Sequence, residues 1–174
     1  MHALFFDMQP KPGHMPHYFA HVDRLRPLLG AHPGLLYLER FRPLDQPDAI
    51  LSHQHWEGEA AIRAWRCDGT HRASQAAGRT VHFERYRIRV GPEVLPDGVG
   101  RFVVAAYGAA PAGPGRAHES VTRPGWFLTL GEAADGSAAL EMAAAARRDG
   151  AEEVRIFSVA RDYSMTDRAE APAL

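Results

Sequence analysis

The sequence predicts an α+β protein made of two tandem units with one plan, strand, helix, strand, strand, helix, strand, the second unit lacking its first helix. Three observations carry that prediction. Short apolar or alternating stretches of strand length recur along the 174 residues. Stretches rich in helix formers, with apolar residues at helical spacing, fall between them. Glycine- and proline-rich breaks separate the two kinds of element.

His2–Met8 (HALFFDM) is apolar and aromatic, as a buried opening strand requires, and PKPGHMP breaks it. In His17–Leu29 the residues Phe19, Val22, Leu25, Leu28 and Leu29 follow a helical repeat, with Pro27 expected to kink or tighten the last turn and Gly30 to end it. Leu35–Phe41 reads as a second strand. RPLDQPD is a turn, and Ala49–Trp56 a third strand hairpinned onto the second. Gly58–Cys67 places Ala61, Ile62 and Trp65 on one helix face. Gly69 weakens that helix, HRASQAAG restarts it, and Gly78 stops it. Val81–Val90 alternates as a fourth strand. This order is the ferredoxin-like split unit, an antiparallel sheet with helices on one face.

GPEVLPDGVG reads as a linker, dividing the chain into units 1–94 and 95–174. In the second unit Phe102–Tyr107 is a strand and GAAPAGPG a loop where the first helix would stand. Ala117–Thr122 and Trp126–Leu130 form a strand pair, Ser137–Arg148 a helix, and Val154–Ala160 the closing strand. The tail TDRAEAPAL is expected to fray.

Bulk properties exclude several classes. The net charge is −1, and the arginines are interspersed with acids and apolar residues, so no basic face for nucleic acid is expected. No apolar run approaches the ~20 residues that span a bilayer. The N-terminus lacks the pattern of a secretory signal, and a soluble cytoplasmic protein is the expectation. Cys67 is the only cysteine, which excludes an internal disulfide and an all-cysteine zinc site. GAAPAGPG lacks the lysine and serine that would make it a phosphate cradle.

WEGEAAIRAWR, then HRASQAAGR, then FERYRIRV resemble the antibiotic biosynthesis monooxygenase domain of the dimeric α+β-barrel superfamily, over roughly the first half of the chain; RDYS near the C-terminus also looks like the end of such a domain. The resemblance implies a small enzyme that uses dioxygen, in some members without metal or flavin, and sheets that pair face to face as a homodimer. Two units in one chain would allow an internal pseudo-dimer instead. Other members bind and degrade haem. Trp65 matches the tryptophan such members use to distort the macrocycle. Where they carry an asparagine in the first strand this chain offers Asp7, and their ligand position falls on Gln75, with His71 one turn earlier.

Oxygenation without a cofactor needs an apolar slot, a base and a group to hold the substrate anion. Tyr37, Trp56, Trp65, Phe83 and Tyr86 are the candidate walls, His71 or His53 the candidate base, and Arg72 or Arg85 the candidate anion holder. Each aromatic has a plainer reading as core. His53 and His55, two apart on a strand, project to one face, as an interface or solvent-facing pair would. A metal would need a third ligand from His71, His82 or Glu84, so none is expected. Cys67 is expected to be a small buried residue beside Trp65. The expected partners are a small aromatic or quinone-type substrate and dioxygen, with no cofactor. Haem is the alternative, and a non-catalytic ligand-binding barrel the competing class.

Overall fold

The computed structural model describes residues 1–172. Nine strands form one sheet: β1 (His2–Pro10), β2 (Leu35–Pro43), β3 (Ile50–Trp56), β4 (Phe83–Pro92), β5 (Val99–Gly108), β6 (Arg116–Ser120), β7 (Phe127–Asp135), β8 (Glu153–Ser158) and β9 (Arg161–Ser164). Helix α1 covers Met15–Gly30, α2 Glu59–Cys67, α3 Gly69–Ala77 and α4 Gly136–Arg148. The sheet order is β8-β5-β7-β6-β2-β3-β1-β4-β9. The sub-order β2-β3-β1-β4 is that of a ferredoxin-like unit, and β6-β7-β5-β8 repeats it strand for strand. The fold is therefore α+β with two such units, and the second does lack its first helix.

Two seams join the units. At one, β2 pairs with β6, Phe41 opposite Ser120 and Pro43 opposite His118. At the other, the end of β4 meets the stretch from β8 to β9. There Glu93 bridges Phe157, the Val94 amide donates to the Ile156 carbonyl, and the Ala160 amide donates to the Val90 carbonyl. Gly91 makes this closure possible, because a Cβ built on it would lie 1.6 Å from the Ser158 carbonyl oxygen. The sheet thus becomes a barrel within one chain, and the two units pair internally.

Residues alternate between two buried faces. Ala3, Phe5, Phe41, Leu51, Val103, Ala105, Tyr107, Leu128, Leu130 and Phe157 fill the barrel interior. On the outside, α4 lays Ala139 and Ala143 against Phe102, Val104 and Ile156. Helices α1 to α3 cover the outer face of the first unit, around Met8, Tyr18, Val22, Phe83 and Tyr86 and around Leu29, Trp56, Ile62 and Trp65.

Several local expectations change. Helix α1 keeps Pro27 inside its last turn and ends at Gly30 as expected, but starts at Met15, two residues earlier than expected. The break between α2 and α3 falls at Asp68, which is extended and caps α3 by accepting the His71 amide at 2.9 Å. Gly78 does not end the helical segment. The backbone widens into a π-helical turn, Gly78–His82, and β4 starts two residues later than expected. The linker is only the stretch between Pro92 and Val99, and RDYS is a separate strand paired with β4. The tail is docked as far as described: Glu170 pairs with Arg101 at 2.7 Å and Arg168 donates to the Tyr86 hydroxyl at 3.0 Å. Residues 173 and 174, the end of the tail expected to fray, lie outside the described residues. Cys67 is exposed, not buried.

Candidate functional site

The outer face of the first unit does not fill with side chains. Between α1, α2, α3 and the sheet lies a cavity of about 190 Å³. An apolar cavity on the order of 150 Å³ holds a benzene, so the size class here is a compound of one or two rings. Its walls are mainly apolar: Leu4 and Phe6 from β1, Val22 and Leu25 from α1, Ile62 and Trp65 from α2, and Phe83, Tyr86 and Ile88 from β4. The last strand and the tail of the second unit add Arg161, Tyr163, Arg168 and Pro172. Gly78 fits because a Cβ there would stand 2.5 Å from the Phe83 ring.

Four sequence-predicted residues meet here. Trp65, His71, Phe83 and Tyr86 all line the cavity. His71 stacks on the Trp65 indole with centroids 4.3 Å apart and planes 17° apart. Its Nδ1–H donates to the Trp65 carbonyl at 3.0 Å, which leaves the Nε2 lone pair as the basic atom; the Gln75 side-chain nitrogen lies 3.0 Å from Nδ1 and 3.4 Å from Nε2. Burial lowers the His71 pKa, against smaller opposing effects of the Trp65 carbonyl and Asp68, so the ring is neutral at pH 7.

The other five are elsewhere. Trp56 is fully buried in the core below the cavity, donating from Nε1 to Gln54 Oε1 at 3.0 Å. Arg72 follows His71 by one helical position, about 100° around the axis, and is exposed. Arg85 alternates with Tyr86 on β4 and is also exposed. His53 and Tyr37 point into the barrel, on the opposite face of the sheet from the cavity. His53 is fully buried, stacked on Phe5 at 4.4 Å, and its Nε2 accepts the Tyr107 hydroxyl at 2.6 Å. His55 Nε2 lies 3.0 Å from that same nitrogen. The strand-histidine pair is thus core, not interface or solvent-facing. Burial lowers both pKa values, that of His55 to about 4. Tyr37 donates to Glu39 at 2.6 Å. Burial of Glu39 opposes its ionisation, but bonds from Arg123, Ser120 and Tyr37 together hold its pKa below the usual carboxylate value.

Sequence reasoning missed two groups. Arg40, Ser52 and Gln54 form a polar patch on the cavity floor. At one end of the cavity, His21 and His82 belong to a cluster with His14 and His17, in which His82 lies within 5.4 Å of the other three ring centroids. The spacing 14, 17, 21 on one helix face was the available signal. Burial, more than the neighbouring charges, lowers the pKa of His21 and of His82. Among the described residues no group of three or more His, Cys, Asp or Glu is arranged to hold a metal ion, and no helix is long and apolar enough to cross a membrane.

The residues that form β1 to α3, with the cavity's Trp65 and His71 among them, match the family model of the antibiotic biosynthesis monooxygenases, over 1–77. The match stays within the first unit and covers less than half of the chain. A jasmonate monooxygenase of Pyricularia oryzae is 34% identical over 91 residues, which are 52% of this chain and 42% of that protein. The uncharacterised protein YqjZ of Bacillus subtilis is 33% identical over 69 residues, 40% of this chain and 59% of its own length. The chain therefore spans about half the length of the curated relatives it matches. Protein SO0527 from Shewanella oneidensis, a solved structure, is 13% identical with a TM-score of 0.48 over 51% of this chain and 86% of that one. An anthrone oxidase-like protein is 9% identical with a TM-score of 0.42 over 99% and 96%.

Proposed function

We propose that the chain is a cofactor-independent monooxygenase that oxidises a small aromatic or quinone-type compound with dioxygen in the cavity of its monooxygenase domain. The observation that carries this reading is the His71 imidazole, stacked on Trp65 at the wall of an apolar cavity of about 190 Å³. The relative named jasmonate monooxygenase supports the reaction class.

His71 Nε2 takes a proton from a hydroxyl-activated ring position of the substrate. The resulting anion passes one electron to dioxygen, and the radical and superoxide combine into a carbon–oxygen bond. The hydroperoxide takes up the proton and loses water, leaving a carbonyl where the ring carried CH₂. One oxygen atom stays in the product, the other leaves as water, and no external reductant is needed. Apolar walls keep bulk water from the anion, and Trp65 with Tyr86 and Phe83 orients the ring.

Oxygen uptake with an anthrone-type substrate in chelator-treated buffer tests the reading. The expected result is turnover without added cofactor, lowered about 100-fold or more in His71→Gln, the usual scale of a lost general base. Trp65→Phe should lower it less. Saturable haemin binding with a Soret shift abolished in His71→Ala, and no metal-free uptake, would replace this reading with the haem one. Ligand binding without any uptake would leave a non-catalytic binding barrel.

A further inference from the structure

We propose that Arg40 and Ser52 on the cavity floor form an anion subsite, so that the cavity's ligand is an apolar ring compound carrying one anionic oxygen, a carboxylate or an ionised phenol. The subsite deepens the oxygenase reading by naming a substrate class, but it rests on geometry that binding alone can probe.

A directed hydrogen-bond chain fixes the polarity of the floor. The Trp56 indole N–H can only donate, and it donates to Gln54 Oε1 at 3.0 Å. That sets the Gln54 amide with its NH₂ turned the other way, where it donates to Ser52 Oγ at 3.2 Å. Ser52 Oγ is thereby used as an acceptor, and its own O–H is left to donate into the cavity that Ser52 lines. All three side chains are buried, so a donor with no acceptor there is costly until a ligand supplies one.

Arg40 stands opposite Ser52 in the β2–β3 register. Its Nε donates to the Tyr18 hydroxyl at 3.1 Å, and no carboxylate among the described residues pairs with it. Two other cavity arginines are committed: Arg161 pairs with Glu59 at 2.7 Å, and Arg168 donates to Tyr86 and lies over the Tyr163 ring; Arg79 lines the cavity from the π-helical turn, away from the β2–β3 floor. A half-buried guanidinium with most of its donors unused, beside a hydroxyl aimed the same way, is suited to an oxyanion. Around it the walls are apolar, which admits a ring and penalises a second charge.

Binding of 2-naphthoate, 2-naphthamide and 2-naphthol, followed by calorimetry, tests the subsite without turnover. The expected result is naphthoate at least tenfold tighter than the neutral amide, with the preference lost in Arg40→Met and partly kept in Arg40→Lys. Ser52→Ala should weaken naphthoate several-fold and the amide little, with melting curves unchanged. Naphthol binding that tightens as pH rises through the naphthol's own ionisation would assign the site to phenolates as well; naphthoate alone would assign it to carboxylates. Equal binding of acid and amide, or a preference that survives Arg40→Met but disappears in Arg79→Met, would overturn the proposal. An intact anion preference without oxygen uptake would defeat only the oxygenase reading.

Discussion

The two units share a strand order but cover their outer faces differently. Over the second unit lies one helix, α4, whose buried positions Ala139, Ala143 and Ala146 bring its backbone close to the sheet. Small residues let the layers touch, and the space between them is filled. Over the first unit lie three helices whose inward residues are large, among them Tyr18, Leu29 and Trp65, and these hold the layers apart. The difference teaches that the cavity comes from side-chain size and helix number, not from the sheet, which is the same on both sides.

The comparison can be broken by adding bulk to each side. Ala143→Leu puts a larger side chain into a fully buried contact, and overpacking of this kind costs about 1–3 kcal/mol, read as a lowered melting temperature. Ser74→Leu at the cavity wall should cost under about 1 kcal/mol while abolishing naphthoate binding. Equal destabilisation by both would mean that the first unit is as tightly packed as the second.

Acid sharpens the contrast between cavity and barrel. His55 is neutral in the fold, with its pKa lowered to about 4, but near 6.5 when unfolded. The unfolded chain therefore binds the proton first. Stability is fully present above pH 6.5 and is lost as pH falls toward 4, by about 2 kcal/mol at pH 5 from His55 alone. Denaturant titrations across this range should show that loss, with a shallower slope in His55→Gln. The slope that remains includes His53, His71, His118, His21, His82 and His2, whose shifts have the same sign.

The smallest expected effect is at Cys67. Cys67→Ser should change stability by no more than about 0.5 kcal/mol, and the thiol should react with a water-soluble reagent in the folded protein. Reaction only after unfolding would restore the buried reading.

Local periodicity made much of this fold legible, and long-range geometry hid the rest. Strand and helix positions followed from apolar spacing. The alternation that puts His53 and His55 on one face was also readable, but not which face, because both faces of this sheet are buried, one by helices and one by the barrel. Once His71 faces inward, helical and strand periods turn Arg72, Arg85 and Cys67 outward. Cys67 is two positions from Trp65, about 200° around the helix, so nearness in sequence placed it wrongly. Arg40 and Ser52 carried no signal, since an arginine and a serine in alternating strands read as solvent-facing. Only the helices packed over them make them a floor. The closure at Gly91 depends on a chain segment more than sixty residues later, which no local pattern announces.

The most direct test is a crystal structure with 2-naphthoate bound. The account predicts density for the ring between Trp65 and Tyr86, with the carboxylate against Arg40 and Ser52. Density in the barrel interior near His53, or in the surface groove lined by Arg87, Arg101, Asp162 and Glu170, with the helix-covered cavity empty, would contradict it.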